Sequence, residues 1–575
     1  MAIASNIFKQ LIYVPEGTTI GVVDADSAST QFGSTVTVAT AGKVGEDEVA
    51  VSFTGTGTTV LNKGSKVTFT GDTNVYYLTK AVSTAAAVTT GTLVLDRPLA
   101  AAVSTVVAVV SYTSPDKSNQ PRALRRVSSN LSPKYDTYAS NEIRSDQQVA
   151  DYRIGSKTID GTLSCELSSR TYEDFFAALL RKDFYSPVVQ TFASAITTAT
   201  GTGIVVGLGN TNVLKLTFAV GDVGSVSGDA GSTTADKFTG IKVGEVFQLT
   251  PSGTTTATIN TLTTAAGWAA VPLLVLAKDS VNRVLTVVAA NDPASVAFNA
   301  TGSIPANSTI QVLGRKSFVP LTNHLQKSFQ FEHFYSDLSA AGVNATGKPI
   351  AELFTGCRVT QGAIKLPTSG VATCDFSVMG IGSKVPTDVQ TLWDTGATAD
   401  FTSLPNAPMM QTLSADTVRT SAIDSVYSSA VGNVYFTASK GGQIYKADAI
   451  TSFDMTINGN GATLKVVGST VSPDVTLGKV QVSGGLSVYF KDNTLYNSFT
   501  NSDDLTVIAY FSENSANTIN SSFMNFILPR VKLGSASKDD AQSIVLTTQY
   551  QALIGDGTTG FEQTTMEIQD YAQLA

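Results

Sequence analysis

The chain has 575 residues, of which 42% are hydrophobic and only 15% charged, with 38 basic against 46 acidic side chains and a formal net charge of −8. That length accommodates several domains at roughly 100–200 residues each. The acidic balance excludes a protein that grips nucleic acid by its backbone, because phosphate neutralisation supplies most of that affinity. Thr- and Val-rich runs broken by Gly, Asn, Asp and Ser read as short strands joined by tight turns, so the fold class expected is mainly β.

In chain order, the opening Met-Ala-Ile-Ala-Ser-Asn has no basic stretch and no apolar core, so no signal peptide is expected. Residues 1–29 contain a lead-in strand around Phe8-Lys9-Gln10-Leu11-Ile12-Tyr13-Val14-Pro15-Glu16. Residues 30–112 form a Gly/Thr/Val-rich block with strands such as Lys66-Val67-Thr68-Phe69-Thr70, in which β-branched content and Gly turns argue against helix. Within 113–186, charges are dense over 121–186, which also holds the best helical pattern. From Ser169, the side chains of Tyr172, Phe175, Phe176, Leu179 and Leu180 fall on one stripe at helical spacing. Ser169 or Thr171 is expected to cap that helix, with Glu173 and Asp174 in its first turn and Arg181 and Lys182 in its last, complementing the helix dipole. A plain core-packing helix is the role expected of it.

Residues 187–315 return to the Thr/Gly/Ala/Val composition, as a second inserted β domain. Residues 316–385 resume the mixed pattern, 386–430 read as a connector, and 431–575 as a last β-rich unit. Apolar runs such as 269–277 fall far short of the roughly 20 residues of a membrane helix, so no membrane partner is expected. A repeat links the two mixed regions: Ile159-Asp160-Gly161-Thr162-Leu163-Ser164-Cys165-Glu166-Leu167 aligns without gaps on Val482-Ser483-Gly484-Gly485-Leu486-Ser487-Val488-Tyr489-Phe490. The register continues through Thr171 onto Thr494 and Phe176 onto Phe499, and Ala363-Ile364-Lys365-Leu366 resembles Arg530-Val531-Lys532-Leu533. A duplicated β-sandwich unit is the simplest account, its first copy split into 1–29, 113–186 and 316–385 and its second copy spanning 431–575.

Signatures of chemistry are missing from the sequence. His324 and His333, nine apart, fit no metal-ligand pattern on a helix and read as surface or packing residues. Cys165, Cys357 and Cys374 each alternate with apolar neighbours and read as buried thiols. Gly201-Thr202-Gly203 opens no helix, so it is no dinucleotide site. No catalytic, cofactor-binding or metal residues, and no cofactors, are expected.

The anomaly lies between strand-like arms at 124–131 and 149–159. There the polar stretch 132–148 is too long for an ordinary connection, and loops of that length are commonly functional. With both charge signs and two tyrosines it suits docking into a polar groove of another subunit. Its contact candidates are Pro133, Lys134, Tyr135, Tyr138, Asn141, Glu142, Arg144, Asp146 and Gln147.

Leu124-Arg125-Arg126-Val127-Ser128-Ser129-Asn130-Leu131 and Asn141-Glu142-Ile143-Arg144-Ser145-Asp146-Gln147-Gln148-Val149-Ala150-Asp151 resemble phage tail tube proteins. So do Gly161-Thr162-Leu163-Ser164 with the helix over 171–184, Leu353-Phe354-Thr355-Gly356-Cys357-Arg358-Val359, Leu366-Pro367, and Phe376-Ser377-Val378-Met379-Gly380. The opening Gln10-Leu11-Ile12-Tyr13-Val14-Pro15-Glu16 also fits. The resemblance implies a β-sandwich flanked by a helix, inner sheets joined around a ring, and a long hairpin reaching into the next ring. It further implies three duplicated chains per pseudo-hexameric ring. Such rings stack around the tape measure protein, and viral DNA later leaves through the lumen without specific binding. Tail-tip and tail-terminator proteins are the other partners implied, with the virion tail as location and the host cytoplasm as the site of assembly. The two inserted domains are too large for the lumen and are expected outside, which points to a flexible, non-contractile tail. Two other readings stay open: a bacterial surface adhesin of tandem immunoglobulin-like β-domains, and a hydrolytic tail enzyme needing a carboxylate pair that the sequence does not display.

Overall fold

The computed structural model of the protein describes residues 9–16, 35–42, 46, 48–54, 59–61, 66–69, 76, 77, 82–84, 90–95, 99, 102–105, 108–112, 122–140, 145, 146, 148, 151–187, 189–201, 205–224, 235–299, 301–335, 350–384, 426–428, 432–438, 444–446, 450–491, 493–539, 543–557 and 560–572. Strands account for 54% of it and helices for 8%, so the chain is mainly β.

Two units share one strand order. In the first, β1 (Lys9–Pro15), β2 (Ser132–Ala139), β3 (Tyr152–Glu166), β5 (Phe329–Tyr335), β6 (Ile350–Leu366) and β7 (Thr373–Gly380) pair in the order β1-β5-β6-β7-β3-β2. In the second, β8 (Gly432–Ala438), β9 (Ile450–Asn458), β10 (Gln481–Tyr489), β11 (Leu505–Ser512), β12 (Phe523–Lys538) and β13 (Val545–Leu553) pair as β8-β11-β12-β13-β10-β9. Their irregularities coincide as well. The β5–β6 ladder slips between Phe329 and Phe331, as β11–β12 does between Leu505 and Val507. The β6–β7 ladder slips between Val359 and Gln361, as β12–β13 does between Leu533 and Ser535. Bulges of this kind bend a long strand, and here they occur at matching places in the two longest strands.

The bulges fix which residues correspond. Val359 opposes Val378 and Leu533 opposes Tyr550, just ahead of the slip in each ladder. The partner of 530–533 is therefore 356–359, and the likeness to 363–366 seen in sequence is displaced along the strand. The aligned glycines Gly161 and Gly484 do correspond, and for a reason. A Cβ on Gly161 would lie 2.6 Å from the Leu131 backbone, and one on Gly484 would collide with the Asp454 carbonyl. Each copy thus needs glycine where an adjacent strand crosses at close range.

A short helix follows the aligned strand in each unit: α1 (Glu173–Leu180) and, in the second unit, α3 (Thr494–Thr500). The core they share with the sheets runs through both units, from Leu11, Phe175 and Phe376 to Phe453, Phe511 and Phe526.

The Gly/Thr/Val-rich blocks form sheets of their own. In the first, six strands pair in the order Tyr76–Tyr77, Lys66–Phe69, Ala108–Tyr112, Thr35–Val38, Glu48–Thr54 and Thr90–Val94, over a core that includes Val38, Val51, Val67 and Leu93. In the second, eight strands between Gln190–Phe192 and Ser308–Val312 make one sheet, together with α2 (Ala265–Ala269). Its core is continuous with Tyr435, Ile508, Tyr510, Phe523, Ile527 and Tyr571 of the second unit. Buried polar bonds reinforce that junction: Asn525 Nδ2 donates to the Gly244 carbonyl at 2.5 Å and Gln569 Nε2 to the Leu313 carbonyl at 2.7 Å. Strand β4 (Arg315–Phe318) then leaves the block and pairs with the final strand β14 (Glu567–Tyr571).

Candidate functional site

Helix α1 and its cap position carry the apolar stripe. Tyr172, Phe175, Phe176, Leu179 and Leu180 are each at most 1% exposed. Phe175 meets Phe329, Phe331 and Phe376, while Phe176 meets Phe376 and, across in the second unit, Phe526. The expected cap is absent. Tyr172 occupies the cap position with no side-chain bond to the helix, Arg181 ends the helix in the left-handed region at φ 62°, and no basic residue lies in its last turn. A buried ion cluster serves the N-terminus instead. Glu173 receives Arg315 Nη1 at 2.9 Å and lies 3.1 Å from Arg170 Nε, and the Arg170 N–H donates to Asp570 Oδ2 at 2.7 Å. Placing acid at a helix N-terminus follows the dipole, but beside the local Arg170 the partners Arg315 and Asp570 come from β4 and β14, far away in sequence.

The cysteines are free and buried. Burial pushes the Cys357 and Cys374 thiols well above their ordinary range. His333 is buried, with Nε2 2.8 Å from Ser129 Oγ and Nδ1 3.5 Å from Glu352, whereas His324 is exposed. No group of His, Cys, Asp and Glu among the described residues could hold a metal ion. Among them, too, no helix is long and apolar enough to cross a membrane.

The polar stretch is half strand. Residues 132–139, expected as loop, form β2 and pair with β3 from Ser132–Asp160 to Ala139–Tyr152. The expected arm at 124–131 instead contributes only the two-residue strand Ser128–Ser129, the short strand Arg122–Ala123 lying just before it. Hydrophobic periodicity could not reveal β2, because much of both faces of this hairpin is wet. Tyr135, Tyr138, Tyr152 and Ile154 are 50–64% exposed. Pro133 is half-buried, Lys134 is exposed and bonds Asp160 at 2.5 Å, and Asp146 is exposed. Asn141, Glu142, Arg144 and Gln147 lie outside the described residues.

The second unit steadies the hairpin. Asp136 accepts from Ser156 and from Lys465 Nζ, the latter at 2.5 Å. Those bonds, Lys465 first, hold its carboxyl below the usual range, and Asp136 in turn raises Lys465. The Lys157 N–H donates to the Thr470 carbonyl at 2.6 Å.

The two units are sewn together by β6 and β9, which pair from Gln361–Asn458 to Leu366–Phe453. By the ladders above, Gln361 to Lys365 correspond to Ser535 to Asp539, and Asn458 to Asp454 correspond to Lys134 to Asn130. Among the described residues, neither counterpart has a strand on its outer side. The Asn130 N–H points to the Thr162 carbonyl at 3.3 Å, so alternation along the strand directs the backbone groups of Leu131, Pro133 and Tyr135 outward. Pro133 brings no N–H to that edge, a placement confined to edges and strand starts.

Residues 277–552 match the family model described as phage tail tube protein. The match takes in β5 to β12 and nearly all of β13, the strands that sew the two units together, and it supports a structural role in a tail tube. It also supports placing the chain in the virion. No curated protein matches the chain.

Proposed function

We propose that the protein polymerises as stacked rings into the tail tube of a long-tailed, non-contractile phage, through which DNA passes to the host. The observation that carries this is the pair of open edges left by the duplication. What β6 and β9 do within one chain, the 535–539 segment of β12 and the 130–134 edge of the next chain do between chains. Three chains then close a six-unit ring, the number that the resemblance to tail tubes implies. In that ring Ser537 opposes Ser132, as Ala363 opposes Thr456 within the chain. The exposed tyrosines of the β2–β3 hairpin meet the next ring. The tape measure protein fills the lumen during assembly, tail-tip and terminator proteins close its ends, and the net negative charge lets DNA slide without sticking. The six-stranded block decorates the outside, and the eight-stranded block stands there too, fused to the second unit.

Cysteines at Ser132 and Ser537 test the reading, with Ala363→Cys/Thr456→Cys as the in-chain control. Oxidation of concentrated protein should give covalent trimers on a non-reducing gel, and negative-stain micrographs should show hollow tubes. Monomers only, with the control disulfide formed, would remove the ring.

A further inference from the structure

The second unit lends the first more than the edge of β9. Just before β8, residues 426–428 lie against the first unit, with Val426 bridged to Ser168 and Ser428 to Val371. Between them the Tyr427 N–H donates to the Leu167 carbonyl at 3.1 Å, and the Ala372 N–H donates to the Tyr427 carbonyl at 2.8 Å. Tyr427 is fully buried, its hydroxyl bonded to Ser169. This short strand finishes the step at which the Leu167 N–H bonds the Ala372 carbonyl, at 2.8 Å.

The same step recurs in the second unit without that cover. The Phe490 N–H donates to the Ile544 carbonyl at 2.9 Å, and these are the counterparts of Leu167 and Ala372. Among the described residues no segment bridges it. Ile544 is 44% exposed where Ala372 is at 0%. Beside the step opens a cleft of about 230 Å³, its apolar wall made by Phe436, Tyr445, Val488, Phe490, Leu495 and Leu546.

The repeat names the occupant. Strand β1 pairs with β5 from Lys9–Tyr335 to Pro15–Phe329, and β8 pairs with β11 from Gly432–Phe511 to Ala438–Leu505, so β1 and β8 correspond. The residues standing before β1 as 426–428 stand before β8 are Ile3, Ala4 and Ser5, which lie outside the described residues. Within the chain, the edge of β9 and the arm before β8 both pass from the second unit to the first. Carried on by the same operation, the next chain's first unit delivers its β2 edge to β12 and its arm to Phe490 and Ile544.

We propose that the residues preceding β1 of a neighbouring copy add to the Phe490–Ile544 step as a short strand, so that each chain completes the second unit of the chain behind it. The proposal rests on the ring reading above. The backbone groups on that side of the step gain partners there, and apolar surface now facing water is covered.

Ser543 corresponds to Val371, the residue bridged to Ser428. The test therefore combines Ser543→Cys with a cysteine walked through positions 3, 4 and 5 of the full chain. Val371→Cys/Ser428→Cys serves as the in-chain control and Ser132→Cys/Ser537→Cys as the ring control. Oxidation of assembled protein should join different chains about tenfold faster than a cysteine at exposed Val467 does, because apposed thiols have a high effective concentration. A disulfide within one chain would show that the arm folds back on its own second unit, overturning the exchange. No disulfide at any of the three positions, with the ring control formed, would refute the arm while leaving the ring intact. Failure of the ring control as well, with the in-chain control formed, would take down both.

Discussion

Helices α1 and α3 follow the same strand in the same sheet order, yet only one is enclosed. Every residue of α1 except Asp174 is buried, whereas α3 buries only Leu495 and Ser498. The first unit is closed by the rest of its own chain: Phe526 lies over α1, Tyr427 over its strand end, and Asp570 at its N-terminus. The second unit is closed on one side by the eight-stranded block and, among the described residues, left open on the other. Under the ring reading proposed above, whatever completes the first unit within a chain completes the second between chains.

The sharpest way to break this comparison is to truncate equivalent aromatics. Phe176→Ala should cost about 4 kcal/mol in urea unfolding of the unassembled chain, as expected for a fully buried phenylalanine. Phe499→Ala, at the half-buried counterpart, should cost about 1 kcal/mol, in proportion to the smaller area it removes from water. Equal losses would mean that the second helix is as enclosed as the first.

A smaller effect separates the junction from the hairpin. Lys316 sits between Glu245 and Glu567 in a dry site, 3.3 Å from the latter, and burial with a second carboxylate nearby raises Glu567 to about 7. The folded chain keeps a proton that the unfolded chain gives up near its ordinary value of 4.5. Stability from this group is therefore fully present below that value and lost as pH rises to about 7, a change on the order of 3 kcal/mol by linkage. Glu567→Gln should flatten unfolding midpoints across that window. An unchanged slope would mean that Glu567 stays ionised.

The smallest effect is expected at the hairpin base. Asp136 is held below the usual carboxylate range by Lys465 and Ser156, so the tie it makes is present at neutral pH and lost as acid protonates it. The protection of the Lys157 amide, measured against its intrinsic exchange at each pH, should fall in acid, and Asp136→Asn should lower it at neutral pH with little change in global stability. An amide indifferent to both would place the support of the hairpin elsewhere.

The sequence by itself determined the β class, the stripe of Tyr172, Phe175, Phe176, Leu179 and Leu180, the burial of the three thiols, and the repeat anchored on Gly161 and Gly484. Each is written locally, in periodicity or in a residue type that one backbone geometry demands. Strand β2 was illegible because a hairpin wet on much of both faces carries no alternation. The helix cap was misplaced because the Ser169 hydroxyl bonds Tyr427 and the Thr171 hydroxyl bonds Ser168 and the Ser169 carbonyl, partners that only the fold supplies or orients. The likeness of 363–366 to 530–533 misled because the bulge between Val359 and Gln361 brings a seven-residue displacement back onto the same face of the strand. Only the tertiary structure decided that the eight-stranded block shares a core with the second unit and that, among the described residues, the β6–β9 seam has two open counterparts. Period two states which side of a strand meets the core. Which strand lies beside it depends on backbone bonds that every sequence can make, so only the assembled sheet shows which edges remain free.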